Sequence, residues 1–161
     1  MFIAYIALGA NLGQPAQQLR AALLALAQVP DIQLLAQSSL YRTAPLGLAN
    51  QPDYCNAVCK VKTSLSPEAL LEQLMTLERA AGRVRGEDRW GPRLLDLDLL
   101  HVEGEQRETQ QLQLPHPGIA QRNFVLIPLA DVAPTLLVPG VGRVDELAQK
   151  IGRFGLELWA E

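Results

Sequence analysis

Two cysteines, two histidines and two tryptophans are all that 161 residues offer in the way of soft metal ligands and large indole surfaces. Cys55, Cys59, His101 and His116 are too few and too scattered for a four-ligand zinc site. On an extended strand Cys55 and Cys59 fall on one face about 13 Å apart, too far to bridge, so they read as reduced thiols packed inside. A basic excess is also missing: the formal charge is −3, which excludes the global positive field of a non-specific nucleic-acid binder. No stretch approaches the roughly 18 apolar residues needed to span a bilayer, and MFIAYIALGAN lacks the basic start and long apolar run of a secretory leader. These absences predict a cytoplasmic protein with neither membrane nor nucleic acid as partner, the length predicts one domain over residues 1–161, and a monomer is expected.

What the chain does have is concentrated between Gly82 and Leu100, GRVRGEDRWGPRLLDLDLL. Arg83, Arg85, Arg89 and Arg93 surround Gly86 and Gly91, a glycine-broken segment dense in guanidinium groups and suited to anions. Trp90 sits among them. An indole is costly to expose, so it is expected to close over a flat ligand or to pack when the segment shuts. Beyond it, Leu95, Leu97 and Leu99 alternate with Asp96 and Asp98, which predicts a strand with both carboxylates on one face. Side chains two residues apart on a strand lie roughly 6 to 7 Å apart at the Cα atoms, which suits two oxygen donors to one or two hard cations. Alternation at a solvated sheet edge produces the same triplet. The neighbouring arginines favour the metal reading, and together the two halves suggest a polyphosphate.

The remaining elements follow from periodicity. FIAYIAL predicts a central strand, GANLG a turn, and Pro15 the start of a helix with Leu19, Ala22, Leu23, Leu26 and Val29 at helical spacing. The turn lacks the GxxxxGK[ST] spacing of a phosphate-binding loop. IQLLAQSSLYR predicts one strand over 32–42, TAPLGLANQPDY a long loop, and YCNAVCKVKT a third strand over 54–63. Asn56 is unusual mid-strand: it faces solvent, which its residue type favours, or its amide meets a ligand. Ser66-Pro67-Glu68 opens a helix running through Leu70, Leu71, Leu74, Leu77 and Glu78 to Gly82. GEQRETQQ reads as a hairpin or surface connection, LPHPGIAQRNFVLIPLADVAP as a short helix bounded by prolines, and VDELAQKIGR as the last helix. The order β-α-β-β-α-β with a C-terminal extension predicts an α+β, ferredoxin-like sandwich with helices on one sheet face.

That architecture serves many functions. An RNA-binding module of this shape needs exposed sheet aromatics and a basic surface, against which stand the acidic charge and a 5% aromatic content. A two-metal nuclease needs further carboxylate ligands, and Asp53, Glu78 and Asp88 follow no spacing that supplies them.

Five segments in order, YIALGANLG, SSLYRTAPLG, QPDYCNAV, GRVRGEDRWGPRLLDLDLL and LPHPGIAQRNFVLIPLADVAP, closely resemble the 6-hydroxymethyl-7,8-dihydropterin pyrophosphokinase family over nearly the whole chain. The resemblance implies an enzyme of folate biosynthesis that moves the diphosphate of ATP to a pterin hydroxymethyl group and releases AMP. It implies that Asp96 and Asp98 hold two Mg²⁺ ions and that Arg83 and Arg93, assisted by Arg85, neutralise the transferring group. It also implies that the reduced pterin stacks between Tyr54 and Phe124, meets Asn56 and main-chain groups around Thr43 and Leu46, and is covered by Trp90. His116 and Arg122 match positions that meet ATP phosphates, and Leu71, Glu78 and Leu99 match positions near the nucleotide. The chain departs from the family's bacterial pattern at Met75, Gly86, Gln111, Gln113 and Pro117, changes that touch the ATP side more than the pterin side or the metal pair.

Overall fold

The computed structural model describes residues 1–44, 52–82 and 95–160. Its centre is β1 (Phe2–Ala10), whose β-branched and aromatic residues are covered on both faces: Ala4, Ile6 and Leu8 on one, Tyr5 on the other. The first helix, α1 (Pro15–Gln28), opens on a proline in its first turn and buries Leu19, Leu23 and Leu26.

The run expected as one strand over 32–42 is two strands, β2 (Ile32–Gln37) and β3 (Tyr41–Thr43). Ser38 makes the break. Its N–H donates to the carbonyl of Val58 at 2.9 Å, and its Oγ accepts from the Val58 N–H, also at 2.9 Å. Its hydroxyl donates to the carbonyl of Ser39 at 2.8 Å. A serine bonding its own neighbourhood competes with the regular ladder. Both pieces still pair with β4 (Tyr54–Thr63), β2 along Cys59–Thr63 and β3 along Tyr54–Asn56.

The second helix, α2 (Pro67–Ala80), is capped by Ser66, whose Oγ accepts from the Ala69 N–H at 3.1 Å. It buries Leu70, Leu74 and Glu78 on one stripe, and follows with β5 (Asp96–Val102) after the segment outside the described residues. Of the two readings of GEQRETQQ, hairpin or surface connection, the structure shows a hairpin that extends past it, β6 (Arg107–Glu108) against β7 (Gln113–Leu114), and Arg107 braces it to Glu68 at 2.7 Å.

The short helix expected between prolines is a 3-10 turn, Ile119–Gln121, followed by α3 (Asn123–Val132), which contains Pro128. Pro128 has no N–H to give the carbonyl four residues back, that of Phe124. A small ladder, β8 (Leu137–Val138) with β9 (Gly142–Arg143), leads into α4 (Val144–Ile151), and β10 (Leu156–Leu158) closes the chain's path by pairing with β3.

The main sheet runs β10-β3-β4-β1-β5 with β2 also on β4, and every pairing is antiparallel. Helices cover both faces rather than one. α1 and α2 pack with Ile6, Leu8, Val61 and Leu99; α3 and α4 pack on the opposite face with Tyr5, Tyr41, Val58 and Leu100. On that second face the buried tyrosines have partners: Tyr5 donates to Glu103 Oε2, and Tyr41 to Asp131 Oδ2 at 2.6 Å. Cys55 and Cys59 lie unpaired on the first face, their thiols pushed up to about 11 and about 12 by burial.

Candidate active site

Sheet register assembles the site. Gly9 in β1 stands opposite Asn56 of β4 on one side and Asp96 of β5 on the other; Ala7 stands between Val58 and Asp98 in the next matching row. Asn56, Gly9 and Asp96 therefore share one face across three strands, with roughly 10 Å between the outer two. Gly9 belongs to the strand rather than to the turn after it. A Cβ there would come within 3.3 Å of Asn56 Oδ1, so its missing side chain keeps this row open.

Asp96 and Asp98 alternate with Leu97 and Leu99, which are 4% and 3% exposed beneath the sheet, so the carboxylates occupy the face of Gly9 and Asn56. Burial raises the Asp98 pKa, followed by the charges of Asp96 and Glu78 and a hydrogen bond with Asp96; the Arg122 guanidinium opposes them. Glu78 is itself buried, and its Oε2 accepts the Leu97 N–H at 2.7 Å. The result is a concentration of negative charge that holds Asp98 toward its neutral form. The ionised forms of these carboxylates fit a hard divalent cation, whose charge would relieve the repulsion between them. Among the described residues no group of three or more His, Cys, Asp and Glu side chains is arranged to hold a metal alone.

His116 and Arg122 approach from the connection after β7. The His116 N–H donates to the carbonyl of Leu100 at 2.8 Å, fixing the segment to the edge strand β5. Its Nδ1 accepts from the Gly118 N–H at 3.0 Å, which assigns the ring proton to Nε2 when the imidazole is neutral. Burial lowers its pKa, Arg122 adds to this, and Asp96 works the other way. Gly118 also gives room. A Cβ on it would meet Arg122 Cζ and Nε at 3.3 Å and His116 Cε1 at 3.4 Å. The Arg122 guanidinium carbon lies 5.9 Å from the Phe124 ring centroid.

Asn56 does not face solvent. It is buried, and its Nδ2 donates to Thr43 Oγ1 at 2.7 Å, a bond allowed by the pairing of β3 with β4. Tyr54, opposite Thr43 in that ladder, is half-buried at the same end of β4. Asn11 Nδ2 donates to the carbonyl of Pro52 at 3.1 Å and pins the chain just ahead of this strand.

The structure thus gathers Asp96, Asp98, Glu78, His116, Arg122 and Phe124, and it joins Thr43 to Asn56 on neighbouring strands of the same sheet. It separates Leu99, whose side chain is in the core beneath the sheet, and Leu71, half-buried on α2 against that core. Leu46, Arg83, Arg85, Gly86, Trp90 and Arg93 lie outside the described residues. Gly9, Gly118 and the bond from Glu78 to Leu97 were not expected. A glycine inside a β pattern and an acid on the Leu70, Leu74 stripe of α2 are the signals that point to the first and third.

A sequence model of the family described as 7,8-dihydro-6-hydroxymethylpterin-pyrophosphokinase (HPPK) matches residues 5–134. A Haemophilus influenzae protein named 2-amino-4-hydroxy-6-hydroxymethyldihydropteridine pyrophosphokinase is 45% identical over 150 residues, 93% of each chain. One of the same name from Pseudomonas aeruginosa is 43% identical over 153 residues, covering 95% of this chain and 94% of that one. The fold is similar to that of Plasmodium falciparum HPPK-DHPS crystallised with pteroate, with a TM-score of 0.75 at 14% identity; the likeness covers 93% of this chain and 42% of the other. These likenesses make the protein an ATP-dependent diphosphotransferase. It belongs to the 7,8-dihydro-6-hydroxymethylpterin-pyrophosphokinase family.

Proposed function

We propose that the protein transfers the β,γ-diphosphate of ATP to the hydroxymethyl group of 6-hydroxymethyl-7,8-dihydropterin, releasing AMP, as a step of folate biosynthesis. The observation that carries this reading is the sheet register, which sets Asp96 and Asp98 of β5 on the same face as Gly9 of β1 and Asn56 of β4, a carboxylate pair for a divalent cation beside a polar acceptor pocket. Magnesium, two ions in this reading, would be held by Asp96 and Asp98 and, when bound, would neutralise phosphate charge and acidify the acceptor hydroxyl.

The chain's own residues position the two substrates. Arg122 and the Nε2–H of His116 are donors for ATP phosphate oxygens, with Arg83 and Arg93 neutralising the transferring group and Arg85 assisting. Glu78 stands on the nucleotide side beside the carboxylates, while Leu99, in the core beneath the sheet, and Leu71, packed against that core, support that side from below. Tyr54 and Phe124 enclose the pterin rings, Trp90 covers them, and Asn56 reads their edge with Thr43 and the main chain around Leu46. One amide N–H of Asn56 is bonded to Thr43, which orients the group and leaves its other N–H and its oxygen for a heterocycle edge. Catalysis rests on orientation and charge rather than on a protein base.

In this reading the protein is a cytoplasmic monomer with one domain over 1–161. The element order and the sheet order β5-β1-β4-β2 support a ferredoxin-like frame, extended by α3, α4 and β10. No helix among the described residues is long and apolar enough to cross a membrane. Family membership does not favour an RNA-binding or nuclease role. Purified protein given MgATP and the reduced pterin alcohol is expected to release AMP. Release of ADP instead would refute diphosphate transfer.

A further inference from the structure

The segment carrying both Arg122 and Phe124 is tied down by the residue between them. Asn123 is the first residue of α3, and Arg122 before it makes no side-chain cap. The Asn123 amide donates to the carbonyl of Phe154 at 2.8 Å and to that of Gly152 at 3.3 Å. Both carbonyls belong to the turn from α4 to β10, where Gly152 and Gly155 adopt φ of 75° and 74°, a path that other residues follow with strain. From this turn β10 runs directly into the sheet, where Leu156 pairs with Thr43, and Thr43 Oγ1 accepts from Asn56. A single side chain thus links the start of α3 to the strand ladder that carries Thr43 and Asn56.

We propose that Asn123 is a positioning residue for the acceptor pocket, setting Phe124 on α3 at a defined distance from the Thr43–Asn56 pair on the sheet. The inference rests on the reading that these three residues bind the pterin. A flat heterocycle is held by a ring against its face and by hydrogen bonds in its plane, so displacement of one wall relative to the other weakens both. Arg122 has separate support, because its guanidinium lodges over Gly118 beside His116. Loss of the Asn123 clamp therefore acts on the pterin side and leaves the phosphate side in place.

The test compares Asn123→Ala, Asn123→Asp, Asn123→Gln and Phe124→Ala by steady-state kinetics and thermal melting. Asp keeps the shape but turns an acceptor toward two carbonyls, whereas Gln keeps the donor. Asn123→Ala is expected to raise KM for the pterin alcohol about fivefold, the loss of one or two neutral hydrogen bonds. Asn123→Asp should raise it further, Asn123→Gln should restore part of the loss, and KM for MgATP should stay within about twofold. Unchanged pterin KM in both Asn123→Ala and Asn123→Asp overturns the clamp while Phe124→Ala still shows a defect. Equal rises in both KM values, or a lowered melting temperature with unchanged KM, reduce Asn123 to a structural role and overturn it too. If Phe124→Ala itself leaves pterin KM unchanged, the pocket assignment fails and the clamp with it.

Discussion

The carboxylate of Glu78 accepts the main-chain N–H of Leu97 at 2.7 Å, at the residue that separates Asp96 from Asp98. One side chain of α2 thus fixes the edge strand and adds its charge to the pair. Glu78→Ala leaves a buried N–H unpaired and is expected to cost about 1–3 kcal/mol of stability. Glu78→Gln keeps an acceptor oxygen and should retain most of it. Denaturant melts of the two variants without ligand check this; equal losses would show that the stability depends on the carboxylate charge rather than on an acceptor oxygen for the Leu97 N–H.

Asp98 is held in place against its own electrostatics. Its pKa in the folded protein is raised from 3.8 to about 7, by burial first and then by Asp96 and Glu78. The folded state holds this proton more tightly than the unfolded chain, so the group carries no penalty below about pH 4 and its full penalty above about pH 7. Asp98→Asn is expected to raise the stability of the ligand-free protein at pH 8 and to change it little at pH 4. The same variant should lose turnover, and added Mg²⁺ and ATP should raise its melting temperature less than that of the wild type. A variant that is both active and unaltered in its response to Mg²⁺ would remove Asp98 from the metal site.

His101 is 2% exposed, stacked on Tyr5 with ring centroids 6.2 Å apart, and its Nδ1 has no hydrogen-bond partner among the described residues. Burial lowers its pKa from 6.5, with Glu103 opposing. The unfolded chain binds this proton more readily, so stability present above about pH 6.5 is lost as the pH falls, by at most about 1.4 kcal/mol per pH unit for one proton. His116 acts in the same direction and Asp98 in the other. The measurement is therefore the difference between wild type and His101→Phe from pH 8 to pH 5, and the variant is expected to show the flatter acid limb.

Gly9 keeps the space between Asn56 and Asp96 open by having no side chain. Gly9→Ala would place a methyl 3.3 Å from Asn56 Oδ1, in ordinary strand backbone, so the effect is one of space. The expected outcome is a roughly tenfold rise in pterin KM from a small overpacking cost, with stability nearly unchanged. Kinetics paired with a thermal melt separate that from general damage.

The parts of this protein legible in its sequence are those written in local periodicity. The apolar spacing of α1, the Ser66-Pro67-Glu68 start of α2 and the alternation around Asp96 and Asp98 each act within a few residues. What was not legible depends on partners distant in the chain. Ser38 divides a strand because of Val58, β10 exists because β3 offers it an edge, and Asn56 is buried because Thr43 lies opposite. Pro128 is inside α3 because tertiary packing of Val125, Leu126 and Leu129 outweighs the lost hydrogen bond. Of the site, the shared face of Asp96 and Asp98 follows from strand geometry, whereas Tyr54, Asn56 and Phe124 entered through family likeness. The meeting of Asn56, Gly9 and Asp96 on one sheet face is a matter of register across β4, β1 and β5.

Burial of Cys55 and Cys59 has a practical corollary. With pKa values of about 11 and 12, fewer than about one thiol in ten thousand is thiolate at neutral pH. Electrophiles and peroxide therefore find no nucleophile at these positions while the fold is closed. Alkylation of either sulfur then becomes a clock for global opening, readable on the native chain without any engineered label.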